Sequence, residues 1–262
     1  MEGGVDLTVN RAGISKEINP DTKSPHAAAG FKRAHLPLSF METISLAGLW
    51  LLSLGAPAPV FPPADMSAPP PASAYSERIE LPGTTETRGV GPLNDAVETQ
   101  HLTRVRKFDD AAWYRRDIDI PAAWSGKRVE LHLERTKYTQ VWLDGKPVGQ
   151  RGLYTVPQSY DLTTAISPGA HQLTVMVDNR AERRPVQADT HQFSDNTQTN
   201  WNGLLGRIEL RATPRVWLDD VSVTPDVAAK RFVIRATLGN ITGRPAGGKI
   251  RVRARSWNHA GA

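Results

Sequence analysis

From Trp113 onward, short segments alternate apolar and polar residues, and turn residues separate them. In Trp113 to Ile120 the side chains of Tyr114, Ile118 and Ile120 share one face, Asp117 and Asp119 take the other, and Pro121 ends the run. Val129, Leu131 and Leu133 alternate with Arg128, Glu130, His132 and Glu134. Val141 and Leu143 lead into Asp144-Gly145, the strongest hairpin signal in the chain, with Val148 on the return. Pro168-Gly169 turns into a strand carrying Leu173, Val175 and Val177, and further strands are expected at Arg207 to Arg211 and Val216 to Leu218. A period of two puts one apolar face on each strand, and no amphipathic helix interrupts the series. Strands of this kind bury those faces by stacking two antiparallel sheets. The fold class is therefore all-β, with a jelly-roll sandwich expected over residues 42–214.

The flanks read differently. Residues 1–41 are polar, lack an apolar period and are expected to be a disordered extension. The run Ile44 to Leu54 follows a possible internal start at Met41, and Ala56, Ala58 and Ala64 would suit a leader cleavage region. No basic residue lies between Met41 and the run, which weakens the leader reading, and a buried first strand explains the run as well. Gly55 to Tyr75, with Pro69 to Pro71, is expected to be an extended surface excursion. Residues 215–262 carry three more strand signals, at Val216 to Val223, Phe232 to Leu238 and Lys249 to Arg255, with the Gly-rich stretch Gly239 to Gly248 between the last two. They look like the start of an immunoglobulin-like sandwich, which needs about seven strands. A partial domain of this kind is expected to have an unpaired edge and an exposed apolar face.

The stretch Thr197 to Leu210, TQTNWNGLLGRIEL, carries the most chemistry. Asn200 and Asn202 each offer an amide that donates and accepts, as neighbouring sugar hydroxyls require, and Trp201 between them offers a flat apolar face. Gly203 and Gly206 are expected to turn the backbone tightly before the next strand. Buried amides capping turns around a core tryptophan are the structural alternative.

Other chemistries find little support. The chain has no cysteine, so disulfides and thiolate metal sites are excluded. Its formal net charge is +5, but Lys and Arg are interleaved with Asp and Glu, and the densest basic points, Arg104 to Lys107 and Arg180 to Arg184, are short. No phosphate groove for nucleic acid is expected. No apolar run reaches the ~18 residues needed to cross a bilayer. The seven histidines form no paired-ligand spacing, so no metal or cofactor is expected; His191, four residues before Asp195, is the histidine nearest the amide-rich stretch.

Several segments, taken in order, carry a family resemblance. They are Ile44 to Trp50, LPGTT at Leu81 to Thr85, AWYRRDIDIP at Ala112 to Pro121 with Trp124 and Gly126 to Val129, Leu133 to Arg135 running into the Asp144-Gly145 hairpin, Tyr160 to Thr163, Val177 to Asn179, and TNWNGLLGRIEL. Over Ile44 to Asp226 the chain resembles the N-terminal sugar-binding domain of glycoside hydrolase family 2, the family of β-galactosidases, β-glucuronidases and β-mannosidases. The resemblance implies retaining hydrolysis by two carboxylates about 5 Å apart. It also implies that both come from a (β/α)₈ barrel after the immunoglobulin-like domain. Nothing in this sequence alternates strand and helix as a barrel requires. No catalytic residue is therefore expected here. Asp117 with Asp119 and Glu130 with Glu134 read as the solvated side of a sheet.

What the resemblance leaves is a supporting role, in which a loop before the Arg207 to Leu210 strand hydrogen-bonds the terminal sugar. Asn200 is the first candidate for that contact, then Asp195, with Asn202 and His191 nearby and Trp201 as packing or stacking surface. The expected function is the sugar-binding portion of a family 2 glycosidase, with a carbohydrate as partner and the barrel missing from this chain. A free-standing carbohydrate-binding module is the alternative. Neither compartment, cytoplasmic or exported, nor oligomeric state can be read from the residues.

Overall fold

The computed structural model describes residues 2–9, 41–55, 68–97, 99, 104–183, 199–229 and 231–253. The chain divides into two compact units, Glu42–Ala212 and one in which the N-terminal strand joins the chain from Thr213 onward.

The larger unit is a β-sandwich. In chain order its strands are β2 (Glu42–Ser45), β3 (Gly48–Leu54), β4 (Glu77–Leu81), β5 (Gly83–Thr84), β6 (Ala111–Ile120), β7 (Arg128–Arg135), β8 (Tyr138–Leu143), β9 (Lys146–Arg151), β10 (Gln158–Asp161), β11 (Gly169–Asp178) and β12 (Gly203–Thr213). One sheet runs β10-β7-β12-β2, with β5 also paired to β12; the other runs β4-β3-β6-β11-β8-β9. The core fills the space between them. Tyr114, Ile118 and Ile120 of β6, Val141 and Leu143 of β8, and Val175 and Val177 of β11 meet Leu131 and Leu133 of β7 and Leu204, Ile208 and Leu210 of β12. Each such side chain contributes ~1.5–3 kcal/mol relative to an exposed one, so the period-two pattern alone drives the stacking.

Three departures from the sequence expectation have clear causes. The run Ile44 to Leu54 is not one strand: it breaks at Leu46-Ala47, so that β2 joins the first sheet through Glu209↔Ser45 while β3 joins the second through Leu52↔Tyr114. Strand β12 begins at Gly203, earlier than expected, because Gly203↔Thr84 and Leu204↔Gly83 pair it with β5. The second sheet is buried on both faces. Its outer side carries a second apolar cluster of Tyr75, Ala111, Trp113, Tyr138, Trp142, Tyr154 and Met176, with the Trp113 and Trp142 rings 5.0 Å apart. All six residues of β8 are buried as a result. The Asp144-Gly145 hairpin forms as expected, and its tip is tied to β11: Gln172 N donates to Asp144 Oδ1 at 2.8 Å and His171 Nδ1 lies 2.7 Å from Asp144 Oδ2.

The smaller unit holds two antiparallel ladders. One pairs β13 (Val216–Asp226) with β14 (Arg231–Asn240), setting Leu218 opposite Leu238, Val221 opposite Ala236 and Val223 opposite Ile234. Leu218, Val221 and Val223 are exposed on that apolar row. The other ladder pairs β1 (Glu2–Val9) with β15 (Ala246–Arg253). Glu2–Val9 is thus a strand rather than part of a disordered extension, its backbone groups being taken up by β15; residues 10–40 lie outside the described residues.

Candidate functional site

The segment Thr199–Asn202 enters β12 along the end of the sandwich, and its two asparagines face inward. Asn202 is fully buried: its Nδ2 donates to the carbonyls of Asp110 and Val177, each at 2.9 Å, and its Oδ1 accepts the Tyr114 hydroxyl at 2.8 Å. Burial, and then the charge of Glu86, push the Tyr114 hydroxyl pKa well up, so it stays a donor. The Asn202 carbonyl in turn accepts Thr85 N at 2.9 Å. Asn200 is also buried, and its Nδ2 donates to Asp109 Oδ1 at 3.0 Å and the Asn179 carbonyl at 2.8 Å. Arg104, itself buried, donates to the Asn200 carbonyl and pairs with Asp109 at 3.1 Å and Glu86 at 3.3 Å.

This geometry corrects the role first expected of the two amides. Donors and acceptors spent on buried protein groups are not available to a sugar. Asn200 and Asn202 instead pin the segment from both sides of Trp201, which remains half-buried. Beneath the indole lies the ammonium of Lys137, 4.5 Å from the Trp201 ring centroid and 5.3 Å from that of Tyr154. Asp195 and His191 lie outside the described residues.

The turn from β7 to β8 runs beside the same segment. Thr136 Oγ1 donates to the Gly203 carbonyl at 2.9 Å, and Glu134 Oε2 accepts from Arg207 N at 3.1 Å and Nε at 2.7 Å. Those bonds with Arg207 hold the Glu134 carboxyl below its usual pKa. Gly206 makes this approach possible: its φ is +69°, and a Cβ there would lie 2.7 Å from Glu134 Cδ. Glu130 is likewise engaged, accepting from Arg128 at 2.5 Å and from Ser159 at 3.1 Å. Among the described residues, no group of three or more His, Cys, Asp or Glu could hold a metal ion, and no helix is long and apolar enough to cross a membrane.

Sequence reasoning singled out the Thr197 to Leu210 segment but did not anticipate Arg104, Asn179 and Lys137, the side chains packed against it. Asn179 lay within the quoted Val177 to Asn179 segment, which was the one available signal.

The sandwich is of a kind found in glycosidases. A β-glycosidase from Bacteroides vulgatus superposes with a TM-score of 0.55 at 18% identity, covering 76% of this chain and 24% of that one. A Bifidobacterium dentium β-glucuronidase, solved in complex with coumarin-3-O-glucuronide, gives a TM-score of 0.52 at 18% identity over 81% of this chain and 42% of that one. At such identities the likeness shows the fold. In sequence, the chain is 25% identical over 146 residues to pig (Sus scrofa) β-glucuronidase, covering 47% of this chain and 22% of the relative. The aligned stretch spans about a quarter or less of the curated β-glucuronidases it matches. No family model matches the chain. The β-glucuronidase relatives, extending over about half of the chain, make this a glycosidase-related protein.

Proposed function

We propose that this chain is the sugar-binding portion of a family 2 glycosidase, presenting Trp201 to the terminal sugar of a glycoside. The observation that carries this reading is the construction of the Thr199–Asn202 segment. Two buried amides and a buried arginine hold a single indole half out of the sandwich, an arrangement suited to stacking on the C–H face of a pyranose. Asp195 and His191 are carried forward as further contacts in the same loop. Hydrolysis is assigned to carboxylates outside this chain: Glu130 and Glu134 are committed to Arg128 and Arg207, and a carboxylate held as an ion pair is a poor proton donor. The relatives support a glycoside as ligand, since the Bifidobacterium dentium enzyme is complexed with one.

Titrating sugars and aryl glycosides into the chain while following tryptophan fluorescence tests this. Millimolar or tighter binding that disappears in Trp201→Ala is expected of a free-standing carbohydrate-binding module. Binding only when the rest of a glycosidase is supplied is expected of a portion that shares its site. In both cases the chain alone hydrolyses no aryl glycoside. Turnover abolished by Asp117→Ala or Glu134→Ala would overturn the assignment.

A further inference from the structure

The outer side of the six-stranded sheet buries polar groups among its aromatic rings. Strand pairing sets Arg115 of β6 and Trp142 of β8 on either side of Thr174, and Trp113 of β6 and Gln140 of β8 on either side of Met176. The two indole rings lie 5.0 Å apart, tilted by 37°. Both are fully buried, and Arg115 is only 8% exposed. Its guanidinium lies over the Tyr75 ring at 3.9 Å and donates through Nη2 to the Pro70 carbonyl at 2.8 Å. Arg115 Nε and the Nε1 of both tryptophans are buried with no hydrogen-bond partner among the described residues. The Tyr75 hydroxyl, near Thr174 and Arg115, is buried as well, and burial raises its pKa, so it keeps its proton. No carboxylate pairs with Arg115 among the described residues: Asp178, the acid next along β11 on this face, is held by Arg180 and Arg183.

Buried donors left unmade are costly, and most of all the one that carries a charge. A water molecule meets the need poorly. It must also place its own protons on acceptors, and the unpartnered side-chain carbonyl on this face, Gln140 Oε1, stands diagonally across from Arg115. An anion accepts from every donor and offsets the guanidinium charge. We propose that a small monovalent anion of the chloride class binds on this face, held by Arg115 Nε and the indole N–H groups of Trp113 and Trp142. A single guanidinium sets the single charge, and the burial of all three donor atoms limits the size. The site involves neither Trp201 nor a sugar.

The test uses the full chain at constant sodium concentration and replaces methanesulfonate, a bulkier monovalent anion, by chloride. The readouts are the chlorine NMR line width and the urea midpoint followed by tryptophan fluorescence. Saturable broadening is expected, with a midpoint that rises in chloride over methanesulfonate, because a ligand bound only by the folded state stabilises it. Arg115→Met keeps the side chain's reach and should weaken chloride about tenfold or more, the effect of losing a hydrogen bond from a charged group. Trp142→Phe removes one N–H and should weaken it about threefold or more. The midpoint comparison is between two salts in one protein, so a change in basal stability does not mimic it. Bromide should quench tryptophan emission with a saturating component in the wild type, a signature that needs no variant. Purely linear bromide quenching, or no chloride-specific broadening and midpoint rise, overturns the proposal and leaves the donors to water. Chloride affinity unchanged in either variant overturns it as well.

Discussion

Replacing Asn202 with alanine should be among the most damaging single changes in the sandwich. The side chain is fully buried; its Nδ2 makes two donor bonds of 2.9 Å, to the Asp110 and Val177 carbonyls, and a longer one of 3.3 Å to Asn179 Oδ1, while its Oδ1 accepts from Tyr114. Alanine forfeits the two shorter donor bonds, at ~0.5–1.5 kcal/mol each, and strands the buried Tyr114 hydroxyl at ~1–3 kcal/mol. The total is about 2–6 kcal/mol, which for a domain of this size lowers Tm by roughly 4–24 °C. Urea unfolding followed by tryptophan fluorescence reads the loss as a shift in midpoint at constant slope. Tyr114→Phe removes the hydroxyl that the first change strands, so the double variant should recover part of the deficit, with a coupling of about 0.5–3 kcal/mol. A loss below about 1 kcal/mol, or strict additivity of the two changes, would refute the idea that Asn202 works by satisfying Tyr114.

Three further outcomes are expected. His171 places Nδ1 2.7 Å from Asp144 and Nε2 2.8 Å from the Ser167 carbonyl, two acceptors that only the doubly protonated ring can serve. Burial opposes that charge, but these partners raise the pKa; burial likewise opposes the charge of Asp144, whose pKa is lowered by Gln172 N and then by His171. The stability from His171 is thus full below its unfolded value of about 6.5 and lost as pH rises through the folded value; that from Asp144 is lost as pH falls below about 3.9. Urea midpoints measured across pH should show this window in the wild type and not in His171→Gln. His132 has the opposite sign: both ring nitrogens are buried without a hydrogen-bond partner among the described residues, and burial, then Arg211, lower its pKa. Stability should fall with pH below about 6.5 on its account, and His132→Leu should flatten that slope in the same titration. Gly206→Ala should cost about 1–3 kcal/mol in urea unfolding, since alanine at φ +69° is strained and its Cβ meets Glu134; an unchanged midpoint would contradict the close approach.

How far the sequence could be read depended on how far apart the interacting residues lie. The alternation of Val129, Leu131 and Leu133 is local, and it placed β7 with its core face correctly. Buried and exposed asparagines look alike in a sequence, and Asn202 is decided by Tyr114, 88 positions earlier. Glu134 raised the question of catalysis because Arg207, 73 positions on, was invisible as its partner. The continuous apolar run Ile44 to Leu54 read as one strand because period and composition do not report a crossing between sheets. Lys137, buried between two aromatic rings, broke the rule that lysine marks the surface, and nothing nearby in the chain announced it.

The second apolar cluster, on the outer side of the six-stranded sheet, gives the two sheets of the sandwich unequal freedom to vary. In β6, β8 and β11 neighbouring residues on opposite faces are both committed, Trp113 to the outer cluster and Tyr114 to the core, so there is little room for drift. The other sheet carries ion pairs on its outer face, Arg128 with Glu130, Glu134 with Arg207 and Arg211 with Glu209, and the well-exposed Glu134–Arg207 pair is the one whose charges can be exchanged at small cost. New recognition in relatives of this fold should therefore arise on β7 and β12 and their turns, while the six-stranded sheet remains the fixed frame.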